Sequence, residues 1–330
     1  MTSILAKGFF VSFAVSVAAA FIIIPLLRRL KIGQSIKRNG PIWHLSKEGT
    51  PTMGGLIFIC GMTAAVFTVG LNAIKDGRYA HLAILVFSLI YGIIGFLDDY
   101  QKVKKKGNTG LTSIQKFMLQ LVVAVAFVLM LRKLGYLTPN LYVPFLQVTV
   151  PIPEPVYFVF AAFVIVGTVN AVNITDGVDG LVTGVSIPIA LCFTAAAFSW
   201  GMAVQGIYAA ALTGGLAAFL IFNFNPAKVI MGDTGSLFLG GSICALAFSL
   251  DMPLVLIPLA MVFIIETLSD VIQILYFKLS HGKRVFKMAP IHHHFEKSGW
   301  SEKKVFTVFT ITSIVFSVIA WIGIMDRYNL

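Results

Sequence analysis

The chain has 330 residues, of which 58% are hydrophobic and 12% are charged, and its mean hydropathy is +0.89. Soluble domains carry charge on about a quarter of their residues, so this composition excludes an ordinary soluble protein and indicates a polytopic membrane protein. The formal net charge of +11 would suggest nucleic-acid binding in a soluble chain, but its distribution here favours membrane topology, and we expect no nucleic-acid partner.

Ten membrane-spanning helices are predicted, because apolar stretches near the ~20 residues that cross a bilayer recur along the whole chain. They lie at about 8–27, 51–71, 80–97, 116–134, 156–172, 182–200, 206–222, 236–250, 254–277 and 304–325. No long polar segment, internal repeat or low-complexity region separates them. We therefore predict a single all-α integral membrane domain over residues 1–330.

The lysines and arginines predict the orientation of these spans. Most of the 25 lie in the loops that follow odd-numbered spans, or at the adjoining span ends. The positive-inside rule makes those loops cytoplasmic and places both termini outside the cytoplasm. The same charge would also suit anionic lipid headgroups or a phosphate substrate.

The third span ends in "FLDDYQKVKKK", where Asp98 and Asp99 are adjacent. Carboxylates at a helix C-terminus face the negative end of the helix dipole, and side by side they repel each other. The pair therefore indicates a compensating charge and a function. Lys102 follows within one helical turn.

The segment "NAVNITDGVDGL" at 170–181 connects the fifth and sixth spans and holds Asn173, Asp176 and Asp179. Their spacing of three would place them on one side of a helical turn. Gly177 and Gly180 disfavour a continuous helix and allow the backbone to approach a ligand. The alternative interpretation is a turn followed by a helix cap.

The segment "NFNPAKVIMGDTGSLFLGG" at 223–241 connects the seventh and eighth spans. Pro226 ends the preceding helix, and Gly232 and Gly235 flank Asp233. An aspartate before a helix is also a common N-cap, so this motif alone leaves both interpretations open.

The loop "KMAPIHHHFEKSGW" at 287–300 holds three consecutive histidines. A zinc site is one interpretation, but adjacent histidines in a strand point to opposite sides and no cysteine lies nearby to complete a ligand set. Contacts between the imidazoles and phosphate or sugar hydroxyls are favoured. The segment "KEGTPTMGG" at 47–55 adds Lys47 and Thr52 before the second span.

These acidic, basic and hydroxyl side chains all lie on the predicted cytoplasmic side. Mg²⁺ prefers carboxylate and phosphate oxygens, and lysines can neutralise the remaining phosphate charge. The set therefore predicts phosphoryl transfer with a divalent cation, and its level at the membrane surface suggests that one substrate is a lipid.

Together, "GTPTMGG", "FLDDY", "NITDGVDGL", "NPAKVIMGDTGS" and "MAPIHHHFE" resemble the phospho-N-acetylmuramoyl-pentapeptide transferase (MraY-type) family. This family belongs to the polyprenyl-phosphate N-acetylhexosamine-1-phosphate transferase superfamily. The resemblance implies a bacterial plasma-membrane enzyme whose active site faces the cytoplasm and requires Mg²⁺. Its substrates would be UDP-MurNAc-pentapeptide and undecaprenyl phosphate, and its products lipid I and UMP. It also implies ten helices, contacts with membrane lipid, a homodimer, and a short extracytoplasmic β-hairpin near 141–153.

The resemblance further implies roles for individual residues. Asp233 is the first Mg²⁺ ligand candidate, with Asp98, Asp99 and Asp176 as further ones. Asp98 would take the proton of the lipid phosphate with Asp99 as its partner, so the expected catalytic residues are Asp98, Asp99 and Asp233. The expected substrate-binding residues are Asn173 and Asp176 at the nucleotide-sugar, Asp179 and Lys102 at the uracil, and Lys47, Thr52, Lys116, His292 and His293 around the phosphates and sugar. Asn223 and His294 are also expected to bind substrate.

The expected active site is formed by the cytoplasmic loops 31–52, 98–116, 173–181, 223–236 and 281–303. One position departs from the family pattern, because relatives often have phenylalanine where this chain has Ile230. Aromatic stacking on uracil is therefore not predicted there.

Two rival functions are compatible with parts of the sequence. A related enzyme could transfer GlcNAc-1-phosphate to a polyprenyl phosphate, although the histidine triplet disfavours this. A cation-coupled transporter could use Glu266 and Asp270 in the ninth span, but transporter acids lie near the bilayer midplane, whereas the acidic clusters here lie at one interface.

Overall fold

The computed structural model describes residues 1–30, 32–33, 49–105, 107 and 109–328. The helices are α1 (Thr2–Arg29), α2 (Gly55–Val69), α3 (Leu71–Lys75), α4 (Ala80–Lys104), α5 (Ser113–Lys133), α6 (Glu154–Thr175), α7 (Leu181–Ser199), α8 (Ala203–Asn223), α9 (Gly232–Ser249), α10 (Leu256–Leu259), α11 (Met261–Leu279), α12 (Ile291–Glu296) and α13 (Glu302–Tyr328). Two strands, β1 (Asn140–Val143) and β2 (Val148–Pro151), lie between α5 and α6. Lys47 and most of the predicted site loop 31–52 lie outside the described residues.

In the described part of the chain, seven helices are long and apolar enough to cross a membrane, namely α1, α4, α5, α6, α7, α8 and α13. An eighth span is formed if the segment Pro253–Leu259 is joined to α11, from which it is bent by 77°. The two other predicted spans correspond to α2, which has 15 residues, and to α9, which begins with the polar sequence GDTGS. The chain is thus a multi-pass helical membrane protein, while the count of ten and the position of both termini stay predictions.

The helix α9 forms the centre of the bundle, because every residue from Thr234 to Ser249 is buried. It packs against α4 and α6. Small residues allow this close approach, as they do between membrane helices in general. A Cβ on Gly240 would lie 2.7 Å from the Cα of Val169 in α6, and one on Gly55 would lie 2.2 Å from the Cα of Gly235.

The predicted hairpin is confirmed. Strands β1 and β2 are antiparallel, with Asn140 opposite Pro151 and Val143 opposite Val148. Because it follows α5 and precedes α6, the hairpin lies at the end of the bundle opposite the C-terminus of α4 and the N-terminus of α5. Its position outside the cytoplasm stays a prediction.

A polar clamp fixes the bundle at the hairpin end. The carboxylate of Asp251 accepts hydrogen bonds from the backbone N–H and the hydroxyl of Thr138 at 3.0 and 2.9 Å. Arg327 Nη2 lies 3.1 Å from Asp251 Oδ2, and its guanidinium lies over the rings of Tyr142 and Trp200. Helices α9 and α13 are therefore tied to the hairpin far from the acidic motifs.

The contact between α9 and α6 predicts opposite effects for two glycines. Gly240→Ala should lower the free energy of unfolding by about 1–3 kcal/mol, because its methyl group would press on the α6 backbone. Gly167→Ala, in α6, is the control, because a Cβ there meets nothing within 4 Å. Alanine is the better helix former, so the control should keep or raise the unfolding temperature in detergent. Equal effects of the two substitutions would contradict this packing.

Candidate active site

Three carboxylates converge where α4 ends and α9 begins. Asp98 and Asp99 lie near the C-terminus of α4, and Asp233 lies in the first turn of α9. Carboxylate oxygens of the three residues lie within 4.8 Å of one another. Asp98 and Asp99 are buried and Asp233 is half-buried. We call these three residues the carboxylate triad.

The N-terminus of α9 compensates the charge of Asp99. Asp99 Oδ2 accepts hydrogen bonds from the backbone N–H of Thr234 at 2.9 Å and from its hydroxyl at 2.8 Å. Asp99 Oδ1 accepts from the backbone N–H of Asp233 at 3.2 Å. The first N–H groups of a helix lack partners within the helix and carry partial positive charge. Asp99 therefore caps another helix, which explains an acid at the C-terminus of α4.

Two lysines neutralise part of the remaining charge. Lys102 Nζ lies 2.6 Å from Asp98 Oδ2, 3.0 Å from Asp233 Oδ2 and 3.8 Å from Asp99 Oδ1. Lys116 Nζ, from the first turn of α5, lies 2.8 Å from the same oxygen of Asp233. Two ammonium groups thus face three carboxylates, and Lys102 contacts all of the triad.

Asp98 also fixes the connection between α4 and α5. Its Oδ1 accepts a hydrogen bond from the backbone N–H of Leu111 at 2.7 Å. A Cβ on Gly110 would lie 2.4 Å from the same oxygen, so a larger residue there would push on the carboxylate. Residues 110–112 then lead into the capping box of α5, in which Thr112 and Gln115 bond to each other's backbone N–H groups.

Asn173 connects α6 to the triad. Its side-chain N–H donates to Asp233 Oδ1 at 2.9 Å and to Ser236 Oγ at 2.8 Å, while its Oδ1 accepts from Lys116 at 3.1 Å. The predicted residues Asn173, Asp98, Asp99, Asp233, Lys102 and Lys116 are therefore brought together from α4, α5, α6 and α9.

Asp176 and Thr52 lie at the edge of this cluster. Burial, together with the nearby carboxylates of Asp233 and Asp99, raises the pKa of Asp176 to about 7, although a hydrogen bond from the Gly232 backbone opposes the shift. The Thr52 hydroxyl lies close to Gly232, where a Cβ would be 2.8 Å from it. Both side chains are half-buried and adjoin the glycine that precedes Asp233.

Asp179 and Asn223 hold the loop that leads to Asp233. Asp179 Oδ2 accepts from the backbone N–H of Ala227 at 2.9 Å and from the Asn225 side chain at 3.2 Å. Asn223 Nδ2 donates to the carbonyl of Val229 at 3.0 Å. Both residues are buried. Their predicted contacts with substrate stay predictions, and the structure gives them a role in shaping this loop.

The three histidines lie on the short helix α12 and have different partners. His292 Nδ1 lies 2.9 Å from Glu266 Oε2, and His293 Nδ1 lies 2.7 Å from Glu296 Oε2. His294 Nδ1 accepts a hydrogen bond from the backbone N–H of Lys287 at 3.1 Å. Among the described residues the carboxylate triad is the group with metal-ligand spacing, so the zinc interpretation of the histidines gains no support.

The triad offers what a hard divalent cation needs. Its oxygens converge, and its charge exceeds that of the two ammonium groups, as suits Mg²⁺ with substrate phosphates. Two contacts in this region were not predicted from the sequence. Lys102 lies between the carboxylates, and Glu266 is bonded to His292. The spacing of four between Asp98 and Lys102 was a usable signal for the first, whereas no local pattern links Glu266 to a residue of α12.

Two models of known families match the chain. The family model for glycosyl transferase family 4 matches residues 81–251, and the phospho-N-acetylmuramoyl-pentapeptide-transferase signature 1 matches residues 47–59.

Curated relatives are similar over nearly the whole chain. A phospho-N-acetylmuramoyl-pentapeptide-transferase of Clostridium acetobutylicum is 42% identical over 96% of this chain and 97% of its own length. One of Staphylococcus carnosus is 43% identical over 95% of this chain and 98% of its own. One of Clostridium perfringens is 44% identical over 94% and 96%. The chain belongs to the phospho-N-acetylmuramoyl-pentapeptide transferase family of membrane enzymes in peptidoglycan synthesis.

Proposed function

We propose that the chain transfers phospho-MurNAc-pentapeptide from UDP-MurNAc-pentapeptide to undecaprenyl phosphate, giving lipid I and UMP. The observation that carries this proposal is the carboxylate triad with Lys102 and Lys116 at one end of a membrane bundle. Carboxylates that can hold a divalent cation, next to ammonium groups that can bind phosphate, suit the transfer of a phosphoryl group to a membrane-bound acceptor. The reaction is expected at the cytoplasmic face of the bacterial plasma membrane.

The triad fits Mg²⁺ by its donor chemistry. Asp233 is the foremost ligand candidate, as the resemblance to the family implies, and Asp98, Asp99 and Asp176 are the further candidates. Asp233 also contacts both lysines and Asn173. Mg²⁺ held there supplies charge neutralisation to the diphosphate oxygens.

The favoured mechanism is direct attack by the lipid phosphate. One of its oxygens forms a bond to the β-phosphorus of the UDP-sugar while the bond from that phosphorus to UMP breaks. A phosphate monoester has a second pKa near ~6 and is largely ionised at neutral pH, so it needs little help from a base. Lys102 and Lys116 neutralise phosphate oxygens. Asp98 orients Lys102 and accepts the proton from the small fraction of lipid phosphate that is still a monoanion.

The alternative route passes through a phospho-enzyme, in which an aspartate attacks first and UMP leaves before the lipid binds. Both routes give the same products, so the presence or absence of a phosphate bound covalently to the protein distinguishes them.

Substrate choice tests the proposed function directly. The purified chain with Mg²⁺ and undecaprenyl phosphate should convert UDP-MurNAc-pentapeptide to UMP and lipid I in equal amounts. UDP-GlcNAc should give no lipid product under the same conditions. Efficient use of UDP-GlcNAc would instead identify the rival GlcNAc-1-phosphate transferase, and cation flux in sealed vesicles without UMP release would identify a transporter.

Direct attack predicts the behaviour of Asp98→Asn. Turnover should fall by about 10²–10³-fold, the range lost with one preorganised electrostatic group, because the variant no longer holds the Lys102 ammonium group with a carboxylate. No protein-bound phosphate should accumulate in the variant or the parent. The measurement uses β-³²P-labelled UDP-MurNAc-pentapeptide without lipid acceptor, followed by denaturation and gel analysis. A labelled aspartyl adduct of phospho-MurNAc-pentapeptide in the parent protein would establish the two-step route.

The position of Lys102 predicts competition between its ammonium group and Mg²⁺. Lys102→Gln should destabilise the metal-free protein by about 1–3 kcal/mol, because hydrogen bonds to charged groups are lost, and the like-charged triad is left less compensated. Added Mg²⁺ should then raise the unfolding temperature more in this variant than in the parent.

Lys105→Gln is the matched control for this measurement. Lys105 caps the same helix, and its Nζ lies 3.3 Å from Gln101 Oε1 and 3.5 Å from the carbonyl of Gly110. Among the described residues its ammonium group forms no ion pair with the triad. Its Mg²⁺ response should equal that of the parent. A smaller Mg²⁺ response in Lys102→Gln would show that the lysine assists metal binding.

A further inference from the structure

Glu266 is a fully buried carboxylate in α11 that has no part in the transfer mechanism proposed above. Its Oε2 lies 2.9 Å from Nδ1 of His292 and 3.5 Å from the backbone nitrogen of the same residue. Its Oε1 has no hydrogen-bond partner among the described residues. Burial of a carboxylate is costly unless it is paired. Among the described residues, His292 is the hydrogen-bond partner that offsets this cost.

His292 presents its other nitrogen to the turn beside Asp176. The residue is fully buried, and its Nε2 has no hydrogen-bond partner in the described part of the chain. A Cβ on Gly177 would lie 2.4 Å from that nitrogen. The imidazole therefore lies between the Glu266 carboxylate and the backbone of the Asp176–Gly177 turn, with one ring nitrogen on each side.

We propose that Glu266 is a positioning residue that holds His292 so that Nε2 faces the nucleotide-sugar at this turn. In its ionised form the carboxylate can only accept a hydrogen bond, so Nδ1 carries the hydrogen and Nε2 is the nitrogen left for substrate. Carboxylates orient metal-binding histidines in the same way, through the second ring nitrogen. The inference rests on the proposed function, because it assigns Glu266 to the same site.

Two further acidic residues, Glu296 and Asp270, lie near the pair of Glu266 and His292. His293, whose ring centroid is 4.1 Å from that of His292, has Glu296 as its own carboxylate partner. Asp270 lies one helical turn after Glu266 on α11 and is half-buried. It therefore offers a matched acid on the same helix.

A double-mutant cycle tests the proposal. Glu266→Gln keeps the shape of the side chain but removes its charge, and should lower kcat/KM by about 10- to 100-fold, the range seen for histidine-orienting carboxylates. His292→Asn keeps an amide near the position of Nδ1 and removes Nε2. If Glu266 acts through His292, adding Glu266→Gln to His292→Asn should cause no further loss of kcat/KM, because groups that act as a unit are not additive.

The control and a second measurement separate this role from general stabilisation. Asp270 acts on His292 and Glu266 only through space, with no hydrogen bond to either among the described residues, so Asp270→Asn should lower kcat/KM far less than Glu266→Gln does. Gly177→Ala should reduce kcat/KM in the parent, where its methyl group meets Nε2, and should have little effect with His292→Asn, where that nitrogen is gone.

Multiplication of the Glu266→Gln and His292→Asn effects would overturn the proposal, as would parent-like kinetics of Glu266→Gln. A harmful Gly177→Ala in the His292→Asn background would also count against it. These outcomes are read in an enzyme that makes lipid I. If the parent protein makes no lipid I, the proposed function itself fails, and the two failures are thereby distinguished.

Discussion

Three carboxylates within 4.8 Å of one another are the constraint on which the rest of this structure depends. Like charges at that separation repel strongly where water is scarce, so the fold must supply positive charge from several directions. The N-terminus of α9 supplies it to Asp99 through two backbone N–H groups and the Thr234 hydroxyl. Lys102 and Lys116 supply it to Asp98 and Asp233. The end of α4 and the start of α9 must therefore meet, and α5 must begin beside them.

That meeting determines how the centre of the bundle packs. A Cβ on Gly95 would lie 2.1 Å from the carbonyl oxygen of Asp233. Gly232 has a φ of +72°, a backbone conformation that glycine adopts without strain. These two glycines let α4 touch the first turn of α9, so that Asp99 reaches the N–H groups of the neighbouring helix. The helix α9 begins with polar residues, yet it is buried along almost its whole length. This burial is possible because neighbouring helices, and not lipid, provide hydrogen-bond partners for its polar groups.

The sequence predicted the helical membrane class and the acidic junctions from local signatures, whereas the hairpin and the individual site residues followed from the resemblance to the family. Apolar length marks the spans, and acids beside glycines mark the ends where ligands can approach. The sequence did not predict which helix end compensates the charge of which carboxylate. Asp99 looked unfavourable within its own helix, and only the packing of α9 against α4 shows its partner. Likewise, Glu266 and His292 are far apart along the chain, and no periodicity relates them. The count of ten crossings stays a prediction, because α2 has only 15 residues and α9 begins with a polar sequence and is enclosed by protein.

The turn at Asp176 and Gly177 shows how these two buried charge systems can serve one substrate. On one side, the Gly232 backbone bonds to Asp176 and continues directly into the carboxylate triad. On the other, Gly177 adjoins the imidazole that Glu266 holds. The absence of a side chain at Gly177 is what lets the imidazole approach so closely. A nucleotide-sugar at this turn would thus have the phosphate-directed lysines on one flank and an oriented imidazole on the other. Each flank is fixed by a carboxylate that has no need to touch substrate: Asp99 fixes the start of α9, and Glu266 fixes His292. Buried acids that hold the ligand-directed groups in place give the rigid support that preorganised catalysis requires.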